Sequence, residues 1–188
     1  MKVNPWLVVA SAPILIGASC LGQPTSGTSA GNAGVESSPQ PSQVQGYESI
    51  RSNLPGQTGV PVRLPTFIPP YADKENPIYA IVDSVSATDY KVQLAWAKNC
   101  QGGNWCHLGE ITGGVVPITS EGRRTPVTLG LGVDGFFVDF TCGASCDDAM
   151  IYWGEGSYYY SIAMKAGKKQ TLLKMARSAI LDGRKRHS

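Results

Sequence analysis

The sequence predicts an α+β fold: a mainly antiparallel β-sheet of six to seven strands with one C-terminal helix packed on it. Three observations lead there. Runs of alternating apolar and polar residues recur between residues 79 and 164, the period of half-buried strands. Polar or glycine-bearing links of hairpin length separate several of them. After Gly167 the apolar spacing changes to three and four residues, the period of an amphipathic helix.

The chain opens MKVNPWLVVASAPILIGASC, with an early charge at Lys2, an apolar run from Trp6 to Ile16, and small residues at its exit. That run is too short for a membrane span, which needs about 20 apolar residues, and fits an export signal over residues 1–19. The exit Gly17-Ala18-Ser19-Cys20 resembles the lipobox of bacterial lipoproteins, although Gly17 stands where that family prefers Leu, Val or Ile. The resemblance implies that Cys20 carries a diacylglyceryl group; the alternative is ordinary signal cleavage after Ser19. Cysteine number favours lipidation, because five cysteines in an exported chain leave one over. Residues 20–59 hold the anchor cysteine and a Ser-, Gly-, Pro- and Gln-rich stretch with few apolar groups. Such a composition cannot offset the entropy of ordering and reads as a disordered tether.

A globular β-rich domain over residues 60–182 follows, then a basic tail over 183–188. YAIVDSV (79–85) and YKVQLAWA (90–97) form a hairpin, with Tyr90, Val92, Leu94 and Trp96 on one face. CHLGEITG and TPVTLGLGV are weaker strands because of their glycines, and GFFVDFTC (135–142) is a strong one. AMIYW-GEG-SYYYSIAM is a second hairpin, its glycines able to supply positive φ. KKQTLLKMARSAIL carries the apolar stripe of the helix. Trp153 to Tyr160 (WGEGSYYY), followed by Leu172 to Ile180 (LLKMARSAI), resembles the close of small exported domains of the DUF4367-like group. These occur in bacterial lipoproteins and anti-sigma-factor ectodomains, and the style is that of a cyanobacterial lipoprotein. The resemblance implies a fold and an exported setting but no site residues.

CQGGNWCH, residues 100–107, admits three chemistries. A c-type haem is poorly matched, since five residues separate the cysteines. Tetrahedral zinc could take Cys100, Cys106, Cys142 and Cys146, or three of them with His107, but the spacings are longer than zinc modules use for one pair and the compartment is oxidising. Local disulfides Cys100–Cys106 and Cys142–Cys146 need nothing further, with cross-pairing the alternative if the two loops meet. No metal and no cofactor is expected.

No nucleophile elbow or phosphate-cradling loop occurs; Asp147, Asp148 and His107 are the only material for a small hydrolase. Trp153, Tyr158, Tyr159 and Tyr160 are candidate binding aromatics, since consecutive tyrosines must reach both faces of a sheet. Residues 62–164 carry a net charge of −5 and residues 165–188 a net charge of +7. Lys168 and Lys169 open a basic helix able to approach anionic lipid or an acidic protein, whereas nucleic acid is a poor partner for an exported chain. These features point to a non-enzymatic binding or accessory module of the cell envelope, periplasm-facing and membrane-anchored or secreted. The alternatives are a hydrolase, a lipid carrier or a zinc domain.

Overall fold

The computed structural model describes residues 44–70, 77–119, 123–142 and 146–186. The expected signal, Cys20, the first part of the tether and the last two residues of the tail lie outside the described residues. The fold is α+β. Eight strands form one sheet: β1 (Val44–Gln45), β2 (Ile78–Val85), β3 (Asp89–Ala95), β4 (His107–Gly114), β5 (Arg124–Gly130), β6 (Val133–Val138), β7 (Ala149–Glu155) and β8 (Tyr158–Met164). Their order is β1-β2-β3-β4-β8-β7-β6-β5. Two antiparallel meanders, β2-β3-β4 and β5-β6-β7-β8, meet where β4 pairs with β8, and only β1 runs parallel to its neighbour.

The alternation of each strand sends one set of side chains to a common face. Val92 and Leu94 of β3, Ile111 of β4, Ile162 and Met164 of β8, and Ile151 and Trp153 of β7 are buried there. Helix α2 (Lys169–Lys185) lays Leu172, Met175, Ala176, Ala179 and Ile180 against them. Burying each large aliphatic side chain is worth about 1.5–3 kcal/mol, which makes this interface the main source of stability.

The covered face has a third component. Residues 59–70 cross it as an extended strap, burying Val60, Val62, Leu64 and Ile68. Four prolines (61, 65, 69 and 70) deny it a full set of backbone donors, and it pairs with no strand. Side chains satisfy it instead. Tyr160 donates to Pro61 O (3.0 Å), Tyr47 donates to Pro65 O (2.6 Å), and the Tyr90 hydroxyl accepts from Arg63 N (2.9 Å) while donating to Arg63 O (3.3 Å). Ser178 of α2 accepts from Thr66 N and Phe67 N at 3.1 and 3.2 Å. Arg63 itself is buried at 8% exposure and its Nε lies 3.1 Å from Glu155 Oε1, an oxygen that also accepts from Trp153 Nε1. Helix α2 passes so close to this pair that a Cβ built on Gly183 would sit 2.6 Å from Arg63 Cδ and Cζ.

The sequence reading needs five corrections. The sheet has eight strands rather than six or seven. Residues 44–56, inside the expected tether, hold regular structure: β1 pairs with β2, and a short helix α1 (Tyr47–Asn53) buries Tyr47, with Leu54 just after it. TPVTLGLGV is not one strand but β5 and the start of β6 around a turn in which Gly130, Leu131 and Gly132 all have positive φ. The strand expected over 135–142 stops at Val138, because the Asp139 carboxylate takes the Phe140 N–H and the Cys142–Cys146 bridge closes a tight turn. The helix runs to Lys185, into the expected tail, held by Arg184 on Leu131 O and by Arg51 and Arg186 on Asp182.

Burial raises the phenol pKa of Tyr47, Tyr90 and Tyr160 well above its ordinary value. Below pH of about 10 both folded and unfolded chains hold these protons; above it the unfolded chain releases them first, so stability falls as pH rises. In an alkaline titration followed at 295 nm, these three of the eight tyrosines are expected to ionise only together with loss of near-ultraviolet circular dichroism. A single titration of all eight with the fold intact would contradict the pegging. Glu155→Gln strands the Arg63 guanidinium without a counter-charge and is expected to cost about 3 kcal/mol in urea denaturation. Arg63→Met with Glu155→Gln should cost less than the sum of the two single changes.

Candidate functional site

Neither helix covers the second face of the sheet; α1, the strap and α2 are joined on the other side by the Tyr47, Ser178 and Arg51–Asp182 contacts. Its rows follow from the register: Lys91, Thr112, Ser161, Tyr152 and Phe136 in one, Gln93, Glu110, Ala163, Met150 and Val138 in the next. Over β3 and β4 these rows carry ammonium, amide, hydroxyl and carboxylate groups, and over β6 and β7 they become largely apolar. Phe136 stacks on Tyr152 with ring centroids 5.4 Å apart.

At one end of this face lies a basin of about 240 Å³ lined by Asp83, Lys91, Gln93, Gly102, Asn104, His107 and Glu110. Strands β2, β3 and β4 supply the charged groups, and the 100–106 loop supplies the wall. Lys91 Nζ lies between Glu110 Oε2 (3.5 Å) and Asp83 Oδ2 (3.8 Å). Gln93 Nε2 lies 3.4 Å from Cys100 Sγ and 3.5 Å from His107 Nδ1. The basin thus presents carboxylate acceptors beside ammonium and amide donors.

The loop is a rigid piece of wall. Cys100 and Cys106 are disulfide-bonded with Cα atoms 5.7 Å apart, and both are buried. Cys106 N and His107 N both donate to Gly103 O at 3.0 Å, and Trp96 N donates to Cys106 O. Lys165 Nζ pins the loop from outside through Asn104 O at 2.7 Å. On this loop Trp105 is 76% exposed, the most exposed large apolar side chain among the described residues.

The second bridge, Cys142–Cys146, joins the same end of the sheet. His107 Nε2 lies 2.7 Å from Asp148 Oδ2, tying β4 to the start of β7 across β8. Nδ1 of the same ring lies 3.5 Å from Gln93 Nε2, so both ring nitrogens have a polar neighbour. Asp147 is occupied as well, accepting from Thr141 Oγ1. Of the three residues considered for hydrolysis, His107 and Asp148 are paired with each other and Asp147 is bonded to Thr141. The four sulfurs considered for zinc lie in two local disulfides rather than in cross-pairs.

The candidate aromatics divide between the faces. Trp153 (2% exposed) and Tyr160 (1%) are buried on the covered face and stack on each other, so neither is a surface platform; the strap they support took them inside. Tyr158 is half-buried against the same core, and Tyr159 is half-buried on the second face beside Gly113 and Val116. Lys168 is exposed at the helix start, and Lys169 lies over the Phe137 ring, 5.7 Å from its centroid. Sequence reasoning missed the basin and Trp105. Strand alternation did place Lys91 and Gln93 on an outward face, but Glu110 sits in a glycine-weakened strand, and nothing local marks Trp105 as exposed.

Comparison with family models, curated proteins and solved structures found no match to the chain.

Proposed function

We propose that this protein is an exported, lipid-anchored component of the cell envelope whose domain is a non-enzymatic binding module for a saccharide. The observation that carries the ligand class is Trp105, held in water on the disulfide-closed loop whose Gly102 and Asn104 line a basin of opposed carboxylate, ammonium and amide groups. An indole exposed to this degree forgoes its own burial, and its flat face suits a ligand with an apolar face. A sugar ring has such a C–H face, and its hydroxyls both donate and accept. Asp83 and Glu110 would take hydroxyl protons while Lys91 and Gln93 donate, matching that dual character. A pre-formed wall also keeps the ordering cost of binding low.

The pairing of His107 with Asp148 at 2.7 Å, across β8 and beside Gln93, supports a bracing role and hence binding over hydrolysis. The envelope setting rests on the signal pattern, the lipobox resemblance at Cys20 and the two disulfides.

The ligand is tested by titrating the protein with a panel of neutral, amino-sugar and acidic-sugar oligosaccharides while following tryptophan fluorescence. At least one series should shift the emission with a saturable curve. Trp105→Ala should weaken that binding by about tenfold or more, the scale of a lost aromatic stack. Failure of every series to bind, or full binding by Trp105→Ala, would sink the saccharide reading. The anchor is tested separately by intact mass of protein extracted from its own membranes without reductant. The expected species begins at Cys20, carries acyl chains, lacks four hydrogens for the two disulfides, and loses the acyl mass in Cys20→Ser.

A further inference from the structure

The outer side of α2 and the β5–β6 turn form a second surface, unrelated to the basin. Lys174, Arg177, Leu181 and Arg184 follow one another at three- and four-residue spacing along the exposed stripe of the helix. Arg177 Nη2 donates to Thr128 O at 2.9 Å and Arg184 Nη2 donates to Leu131 O at 3.0 Å. The two guanidiniums therefore bracket the end of the β5–β6 hairpin, and Leu181 stands between them. These contacts are to neutral carbonyls, and among the described residues no carboxylate pairs with either guanidinium. Lys174 likewise lies over the Phe67 ring, 5.9 Å from its centroid.

Two apolar side chains stand out among these cations. Leu131 is 51% exposed and Leu181 47% exposed. Leu131 also has φ +54°, between Gly130 at +89° and Gly132 at +74°. This is a left-handed conformation that glycine or asparagine adopts readily and a leucine only at a cost. The turn thus holds a strained leucine outward in water, next to arginines, where a polar residue would serve the hairpin better. Strain of this kind is a pointer to function.

We propose that this surface docks on an anionic lipid bilayer. Leu131 and Leu181 enter the acyl boundary, while Lys174, Arg177 and Arg184 meet the headgroup phosphates. The pairing of outward leucines with uncompensated cations on one rigid edge favours a bilayer, which offers apolar depth beneath negative charge, over an acidic protein. The stripe and the basin belong to opposite sides of the sheet, so docking turns the basin away from the lipid. The proposal stands on described residues alone and is independent of the saccharide reading.

The test uses the full chain carrying Cys20→Ser, so that no acyl chain contributes, with phosphatidylcholine vesicles made with and without phosphatidylglycerol. Binding is expected only with the anionic lipid and is expected to be lost at high salt. Lys174→Gln should weaken it about fivefold, the effect of one surface charge. Leu131→Asn should weaken it by a similar factor or more while leaving the thermal midpoint unchanged or raised, because asparagine suits the turn. Leu131→Trp should be quenched by brominated acyl chains in the anionic vesicles. Equal binding to neutral vesicles, no effect of Leu131→Asn, or no quenching in Leu131→Trp would each overturn the proposal. So would binding of polyglutamate in place of vesicles, which would assign the surface to an acidic protein.

Discussion

A proline-rich segment buried between a sheet and a helix must find hydrogen-bond partners without a strand beside it, and the remainder of the fold is arranged around that requirement. Tyr47, Tyr90, Tyr160 and Ser178 each direct a hydroxyl to the backbone of residues 59–70. Each comes from a different element: α1, β3, β8 and α2. An unpaired carbonyl in this layer would cost the full desolvation penalty of the group, about 1–3 kcal/mol. The strap therefore works as a common fastening. The Arg63–Glu155 pair adds a charged fastening at the strap's centre, and Gly183 is what allows α2 to close over it.

This fastening explains why the two faces of the sheet differ so sharply. The covered face is fully engaged by helices and strap, so its aromatics are structural. The second face carries no helix and keeps amide, hydroxyl and charged groups, with acids at Asp83, Glu110 and Asp148. Lys174, Arg177 and Arg184 of α2 lie on the opposite side. The two proposed interactions, with a saccharide and with a lipid surface, use opposite sides of the sheet.

Much of the fold was legible because it rests on local periodicity. The 79–85 and 90–97 runs, the Trp153–Tyr160 hairpin and the 168–181 stripe each state their structure in their own spacing. The errors arose where a local signal was weak. Tyr47, Ile50 and Leu54 lie three and four residues apart, but α1 has only seven residues in a polar stretch and reads as tether. LGLG reads as a weakened strand because leucine is a poor marker for positive φ. The candidate site was less legible. Lys91 and Gln93 could be put on an outward face, yet the same alternation could not say which aromatics a non-strand segment would bury. Trp153 and Tyr160 look like a surface pair until the strap is laid across them.

By itself the sequence determined the α+β class, the principal hairpins and the helix, and favoured the local pairing of four cysteines, because each depends on residues a few positions apart. Only the tertiary structure decided which face is covered, that His107 meets Asp148 across β8, and that Trp105 is exposed on the loop that walls the basin. These outcomes rest on contacts between residues far apart in the chain: 99 positions for Tyr160 with Pro61, 92 for Arg63 with Glu155, 112 for Ser178 with Thr66 and 41 for His107 with Asp148. No local pattern encodes such pairs, since each partner alone is an ordinary polar residue whose place is set when the strap, helix and sheet close together.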